Sequence, residues 1–285
     1  MAYNLSNEKR VAVITALVEG CSVRSTSRMT GVAKGTILRL LSEVGKACAD
    51  YQDATLRNVA SKRVQVDEIW SFCYAKEKNV TAEVWERAGY AGDVWTFTAI
   101  DADTKLIIGW LAGRRDAGCA SEFLQDIAAR LSNRIQLTTD GHRMYLVAVP
   151  DAFGNQIDFA TLTKVYGDSP EPQKRYSPAK VLSTQAATIS GDPEREHIST
   201  SYVERQNLNM RMNMRRFTRL TNAFSKKLDN HIATLALFHM HHNFARVHQT
   251  LRVTPAMAAG LSSHVWSITE MVALAFPIQN RALAA

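Results

Sequence analysis

Disulfide chemistry is the first thing this sequence lacks. The 285 residues include only four cysteines, Cys21, Cys48, Cys73 and Cys119, spread along the chain with no CxxC pair. That excludes a disulfide-dense scaffold and a cysteine-built zinc knuckle, and fits reduced thiols in a cytoplasmic protein. Proline and glycine are scarce, at 7 and 14 residues, which excludes collagen-like and linker-like chains. The N-terminal MAYNLSNEKR holds no apolar signal core, so no secretory peptide is expected. Uninterrupted apolar runs of about 18 residues are missing too, so no membrane contact is expected.

What is present describes a folded chain. Apolar residues make up 46% and charged residues 21%. At roughly 150 residues per domain, the length predicts about two domains. The net charge is +7, and it is unevenly placed. Ten basic and three acidic side chains lie between Arg195 and Arg252, so that stretch carries the whole surplus. A solvated face would mix signs; a surplus confined to one segment suits a polyanion, with nucleic acid first.

Along the chain, residues 7–49 read as three short helices. Val11, Ile14, Leu17 and Val18 share one helical face, and Gly20 breaks it. A second short helix ends at Gly31, and Ile37, Leu40, Leu41 and Val44 restore the period. With Lys34 and Arg39 near the start of the last helix, this is a helix-turn-helix pattern, or else a small helical bundle with no DNA role. Residues 51–62 read as a linker. From 63 the period changes to strands at 64–72, 94–101 and 105–111, a helix at 121–131 and a strand at 134–139. The order over 63–141 is therefore β, β, β, α, β. Residues 150–195 carry five prolines and read as an irregular insertion with a little secondary structure. Helices follow at 201–219 and 223–250, and a tail from 261 holds a short apolar helix.

Three carboxylates stand out. Asp67 sits inside the apolar run VQVDEIW, where a carboxylate is costly unless paired, metal-bound or on a solvent-exposed edge. Strand alternation sends Asp67 and Glu68 to opposite faces, so only one should join a given site. Asp140 ends a strand before Gly141, as a turn residue or as a member of a strand-end site. Glu204 begins the basic helix. The spacing Ser201-x-x-Glu204 is a capping box, whereas Glu204, Asn207 and Arg211 on one face would suit metal binding beside a phosphate. Three such acids could hold two Mg²⁺ or Mn²⁺ ions for in-line phosphoryl displacement.

The pieces VDEIWS at 66–71, WTFTAID at 95–101, TTDGH at 138–142, YVERQNL at 202–208 and RRFTRLTNAFSK at 215–226 together resemble the IS-one family of bacterial insertion-sequence transposases. These are DDE transposases with an RNase H-like catalytic core, and the resemblance spans about 60–260. It implies an α/β fold, a mixed sheet flanked by helices, preceded by a small all-α helix-turn-helix domain at 1–50. It implies that Asp67, Asp140 and Glu204 are the catalytic, metal-holding triad, and that double-stranded DNA (terminal repeats and target) is cut and joined. It further implies a homo-oligomer in synapsis and a nucleoid-associated location in a bacterial cytoplasm. Shorter family members carry an N-terminal zinc motif that this chain lacks, so its N-terminal DNA contact would rest on the helix-turn-helix. Glu194 and Glu196 are nearby competitors for the third acid. A helix-turn-helix regulator, or an inactive copy that only binds DNA, is the alternative function.

Arg211, Arg215, Arg216, Arg219, Lys226 and Lys227 are expected on the DNA backbone, with Arg246, His248 and Arg252 at a phosphate-contacting helix end and Asn207 beside them. His231, His239, His241 and His242 read as core or DNA-contacting rather than metal-binding. Trp70, Trp85, Trp95 and Trp110 read as core.

Overall fold

The computed structural model describes residues 5–167, 180–218 and 222–277. Three helices open the chain: α1 (Asn7–Val18), α2 (Val23–Thr30) and α3 (Lys34–Thr55). The Ser6 and Ser22 hydroxyls cap the first two by accepting a first-turn backbone N–H. The third helix does not stop at 50 but runs for 22 residues, into the stretch expected as a linker. The cause is tertiary. Tyr51 packs against Phe244 and Trp266, and Gln52 Nε2 donates to the carbonyls of Cys48 and Ala236.

Six strands follow, β1 (Arg63–Cys73), β2 (Gly92–Asp101), β3 (Ile107–Gly113), β4 (Ile135–Thr139), β5 (Ile157–Tyr166) and β6 (Val181–Ser190), with a short helix, α4 (Ala82–Ala88), between the first two. They form one mixed sheet in the order β3-β2-β1-β4-β5-β6. The first three are a meander of antiparallel neighbours; β4 runs parallel to β1 and to β5, and β6 returns antiparallel. Helices α5 (Ala117–Arg130) and α6 (Arg143–Phe153) cover one face, meeting Val64, Val66 and Phe97 through Phe123, Leu124 and Tyr145. The other face carries α7 (Ser201–Asn213) and α8 (Leu228–Met240), with Ile69 among Met210, Met214 and Leu235. One apolar core runs from Val13, Ile37 and Leu41 of the opening helices through Leu237 and Phe244 to the sheet.

Helices α3 and α8 touch backbone to backbone. A Cβ added at Gly45 would stand 2.6 Å from the Ala233 carbonyl oxygen. Gly45→Ala is expected to cost about 2 kcal/mol of stability by wedging the two helices apart. A denaturation midpoint equal to that of wild type would contradict this contact.

Two expectations need correction. The described part of 150–195 is not irregular: α6 ends at Phe153, and β5 and β6 pair antiparallel. The prolines misled, because they flank the strands. Pro150 lies in the last turns of α6 and Pro193 follows β6, while Pro170, Pro172 and Pro178 fall outside the described residues. Strand β6 is exposed on both faces, so it leaves no burial alternation to read. Nor is 223–250 one helix. It breaks at Met240 into a π-helical turn, His241–Ala245, because Asn243 joins the sheet. Its side chain accepts from the Ile107 N–H and donates to the Ile107 carbonyl.

The histidines belong to this packing. His231 lies between the hydroxyls of Ser225 and Ser71, and His242 Nε2 meets the Lys105 carbonyl. Burial pushes His231 and His239 down to about 3 and His242 to about 4, so all three are neutral. The four tryptophans read as core are less buried than expected: Trp70, Trp95 and Trp110 are half-buried and Trp85 is exposed.

Candidate active site

Strand register builds the site. The last pair between β1 and β4 is Val66 with Thr139, so Asp67 and Asp140 stand one residue beyond it on adjacent parallel strands. Beyond Thr139 no strand of β4 separates the two faces of the sheet. Glu68 therefore reaches round, and the carboxylates of Asp67, Glu68 and Asp140 come within 4.8 Å of one another. The expectation that alternation keeps Glu68 out of the site is corrected on that ground.

Each acid is held differently. Asp67 Oδ2 accepts from Asn207 Nδ2 at 2.8 Å, and Oδ1 accepts from the Glu68 N–H. Asp140 Oδ1 accepts the His142 N–H at 3.1 Å. Glu68 is buried, taking the Tyr145 hydroxyl at 2.7 Å and an ion pair from Arg115. Arg115 also stands 4.0 Å from Asp140. Gly141 lets the Asp140 turn approach β5, since a Cβ there would lie 2.3 Å from Thr163 Oγ1.

Glu204 comes from the opposite side. The capping box is not formed: Thr200 occupies the N-cap position, and Ser201 is the first residue of α7. Instead Gln65 of β1 caps the helix, its Oε1 accepting the N–H groups of Tyr202 at 2.8 Å and Val203 at 3.2 Å. The Glu204 carboxylate is thereby left to the cleft. It accepts from Thr200 Oγ1 at 2.6 Å and pairs with Lys164 of β5. Asp67, Asp140, His142, Lys164, Thr200 and Glu204 all line one cleft of about 420 Å³. Glu194 and Glu196 do not line it; they lie exposed beside His197.

The electrostatics follow from crowding. Burial, then the neighbouring Glu68 carboxylate, pushes Asp67 up to about 7. Burial and Glu68 also hold the Tyr145 phenol well above its ordinary value. An oxygen-rich site short of positive charge suits a hard divalent cation.

Of the residues expected on DNA, Asn207 and Arg216 turn inward. The Asn207 amide is spent on Asp67, and Arg216 Nη1 donates to Ser225 Oγ at 2.8 Å while burial pulls its pKa to about 10. Lys34, Arg39, Arg215, Lys226, Lys227, Arg246 and Arg252 are exposed, His248 and Arg211 are half-buried, and Arg219 lies outside the described residues. Sequence reading missed Glu68, Arg115, Tyr145, Lys164 and Thr200. Glu68 carried a signal, an acid in an apolar strand, but alternation argued against it. The others are ordinary residues that only strand pairing brings to the acids.

No protein-family model matches this chain, and no curated protein does. A similar solved structure is the piggyBac transposase synaptic complex with hairpin DNA, at 10% identity and a TM-score of 0.40, covering 95% of this chain and 71% of that one. No helix among the described residues is long and apolar enough to cross a membrane.

Proposed function

We propose that this chain is a DDE-type DNA transposase whose catalytic acids are Asp67, Asp140 and Glu204. The observation that carries this reading is the cleft itself, where register-adjacent Asp67 and Asp140 face Glu204 from the helix across it. The strand order and orientation support an RNase H-like core. The sequence pieces resembling the IS-one family place the same three acids in the same order.

The donor set fits Mg²⁺ or Mn²⁺, two ions, because all three acids offer hard oxygens and Asp67 has no cationic partner among the described residues. Bound there, such ions would offset charge at the phosphate under attack and lower the pKa of the attacking water or 3′-hydroxyl. The chain's own part is positioning. Asn207 and the Glu68 N–H fix the Asp67 carboxylate, and the His142 N–H fixes Asp140. Lys164 neutralises Glu204 and presents an ammonium to the cleft, where it can meet a non-bridging phosphate oxygen.

The exposed cations of the segment between Arg195 and Arg252 track duplex DNA, and α2 and α3, with Lys34 and Arg39 exposed, bind the terminal repeats. Bringing two DNA ends together takes at least a second copy. The test is strand cleavage, in Mg²⁺, of duplex carrying the ends of the encoding element, comparing wild type with Asp67→Ala, Asp140→Ala and Glu204→Ala. Cleavage lost in all three with DNA binding retained supports the reading. Binding without cleavage by wild type turns it toward a regulator or an inactive copy.

The ion pair of Lys164 adds a second check. Lys164→Met leaves Glu204 uncompensated, and Mn²⁺ should bind about tenfold more tightly by calorimetry, a modest gain because the pair is partly exposed. Unchanged or weaker Mn²⁺ binding would remove Glu204 from the cation site.

A further inference from the structure

A second cleft, of about 460 Å³, lies past the acids where β1 meets β2, on the face of the sheet that carries Glu68, lined by Trp70, Lys76, Glu77, Lys78 and Asp93. Trp70 is three residues beyond Asp67, about 10 Å along β1. It pairs in register with Trp95 of β2. The Trp70 ring lies 5.7 Å from Phe72, and Phe72 stacks on Phe224 at 4.9 Å. This aromatic row is only half-buried.

Cations ride over the row. Lys76 Nζ stands 5.6 Å from the Trp70 ring and 5.9 Å from Phe72, and Lys226 Nζ 5.3 Å from Phe224. The Arg115 guanidinium, 4.0 Å from Asp140, lies 4.5 Å from the Trp95 ring. It stands between Asp140 and the Trp95 ring, the register partner of Trp70. The two acids lining the second cleft are engaged with backbone: Glu77 Oε2 accepts the Asp93 N–H, and Asp93 Oδ1 accepts the Glu77 N–H, both at 3.1 Å. Lys76, Lys78 and Lys226 form no ion pair among the described residues.

Half-exposed flat rings, unpaired ammonium groups and a cleft large enough to admit a base are the ingredients of a single-strand platform, where any base stacks and the cations follow the phosphates. An apolar peptide would leave the lysines unanswered, and a paired duplex would keep its bases from the rings. We infer that the cleft at Trp70 seats an unpaired base of the DNA strand that passes Asp140, with Lys76 and Lys78 on its phosphates. This rests on the DNA-processing reading above and adds to it that the strand beside the cut is unpaired.

Binding without metal separates the two ideas. Fluorescein-labelled dT12 would be titrated in EDTA against wild type, Trp70→Ala, Trp70→Phe and the double variant Lys76→Gln/Lys78→Gln. Wild type is expected to bind dT12, and Trp70→Ala to bind about tenfold or more weakly, with Trp70→Phe between them. The double lysine variant should lower the salt slope by about 1.4. A blunt duplex should bind wild type and Trp70→Ala alike. Equal dT12 affinity for wild type and Trp70→Ala overturns the inference, as does a wild type that binds the duplex but not dT12. If stacking holds while the triad variants still cleave, the base site stands and the catalytic assignment falls.

Discussion

Asp140→Asn is expected to slow Mg²⁺-dependent strand cleavage about a thousandfold. The substitution keeps the size of the side chain and the oxygen that takes the His142 N–H. It removes one charge from a site where Arg115, 4.0 Å from Asp140, is committed to Glu68. Charge stabilisation by a metal centre contributes several kcal/mol, and about 4 kcal/mol is a factor of roughly a thousand. Glu204→Gln should cost less, about ten- to a hundredfold, because Glu204 is partly exposed and already paired with Lys164. Single-turnover cleavage with prebound DNA reads both. A Glu204 effect equal to that of Asp140 would mean that Lys164 releases the acid completely once DNA is bound.

The second large effect concerns stability. Asp67→Asn should raise the unfolding temperature at pH 8 and leave it nearly unchanged below pH 4. Asp67 ionises near 4 in an unfolded chain and near 7 in the fold. A raised folded value means that its contribution is whole below about pH 4 and is lost as pH rises toward 7. Three units would be about 4 kcal/mol, and cleft solvent reduces this to about 2. The amide keeps the bonds: Asn207 can rotate its own amide to accept, using an Oδ1 that has no partner among the described residues. Mg²⁺ should stabilise wild type more at pH 8 than at pH 5.5 and should do little for Asp67→Asn. Calorimetric melts across pH with and without Mg²⁺ test this. A wild-type profile flat between pH 4 and 8 would contradict the burial of this carboxylate.

Much of the fold was legible because it is periodic. The apolar runs of β1 and β2 and the stripe on α5 place those elements within a few residues, since the strands are covered on both faces and the helix on one. Asp67 was legible for the opposite reason, as a charge where the period demands an apolar residue. Strand pairing was not legible. Nothing local to VDEIW or TTDGH says that Val66 lies beside Thr139, and that register alone makes neighbours of the two aspartates. Glu204 was ambiguous because Ser201-x-x-Glu204 is a sound capping sequence. The competing cap is Gln65, 137 residues away from Tyr202 along the chain. The pairing of β5 with β6 escaped because an exposed strand has no inside to mark.

The cap from Gln65 also bears on how the site comes and goes. Gln65 stands two residues before Asp67 on the strand that carries it, and it grips the first turn of the helix that carries Glu204. The amide protons of Tyr202 and Val203 are therefore shielded by β1, not by their own helix. They should exchange with solvent at the rate at which strand and helix separate, together with Gln65's neighbours rather than with the exposed turns of α7. Opening that releases one acid releases its opposite number, so Asp67 and Glu204 assemble and disperse together.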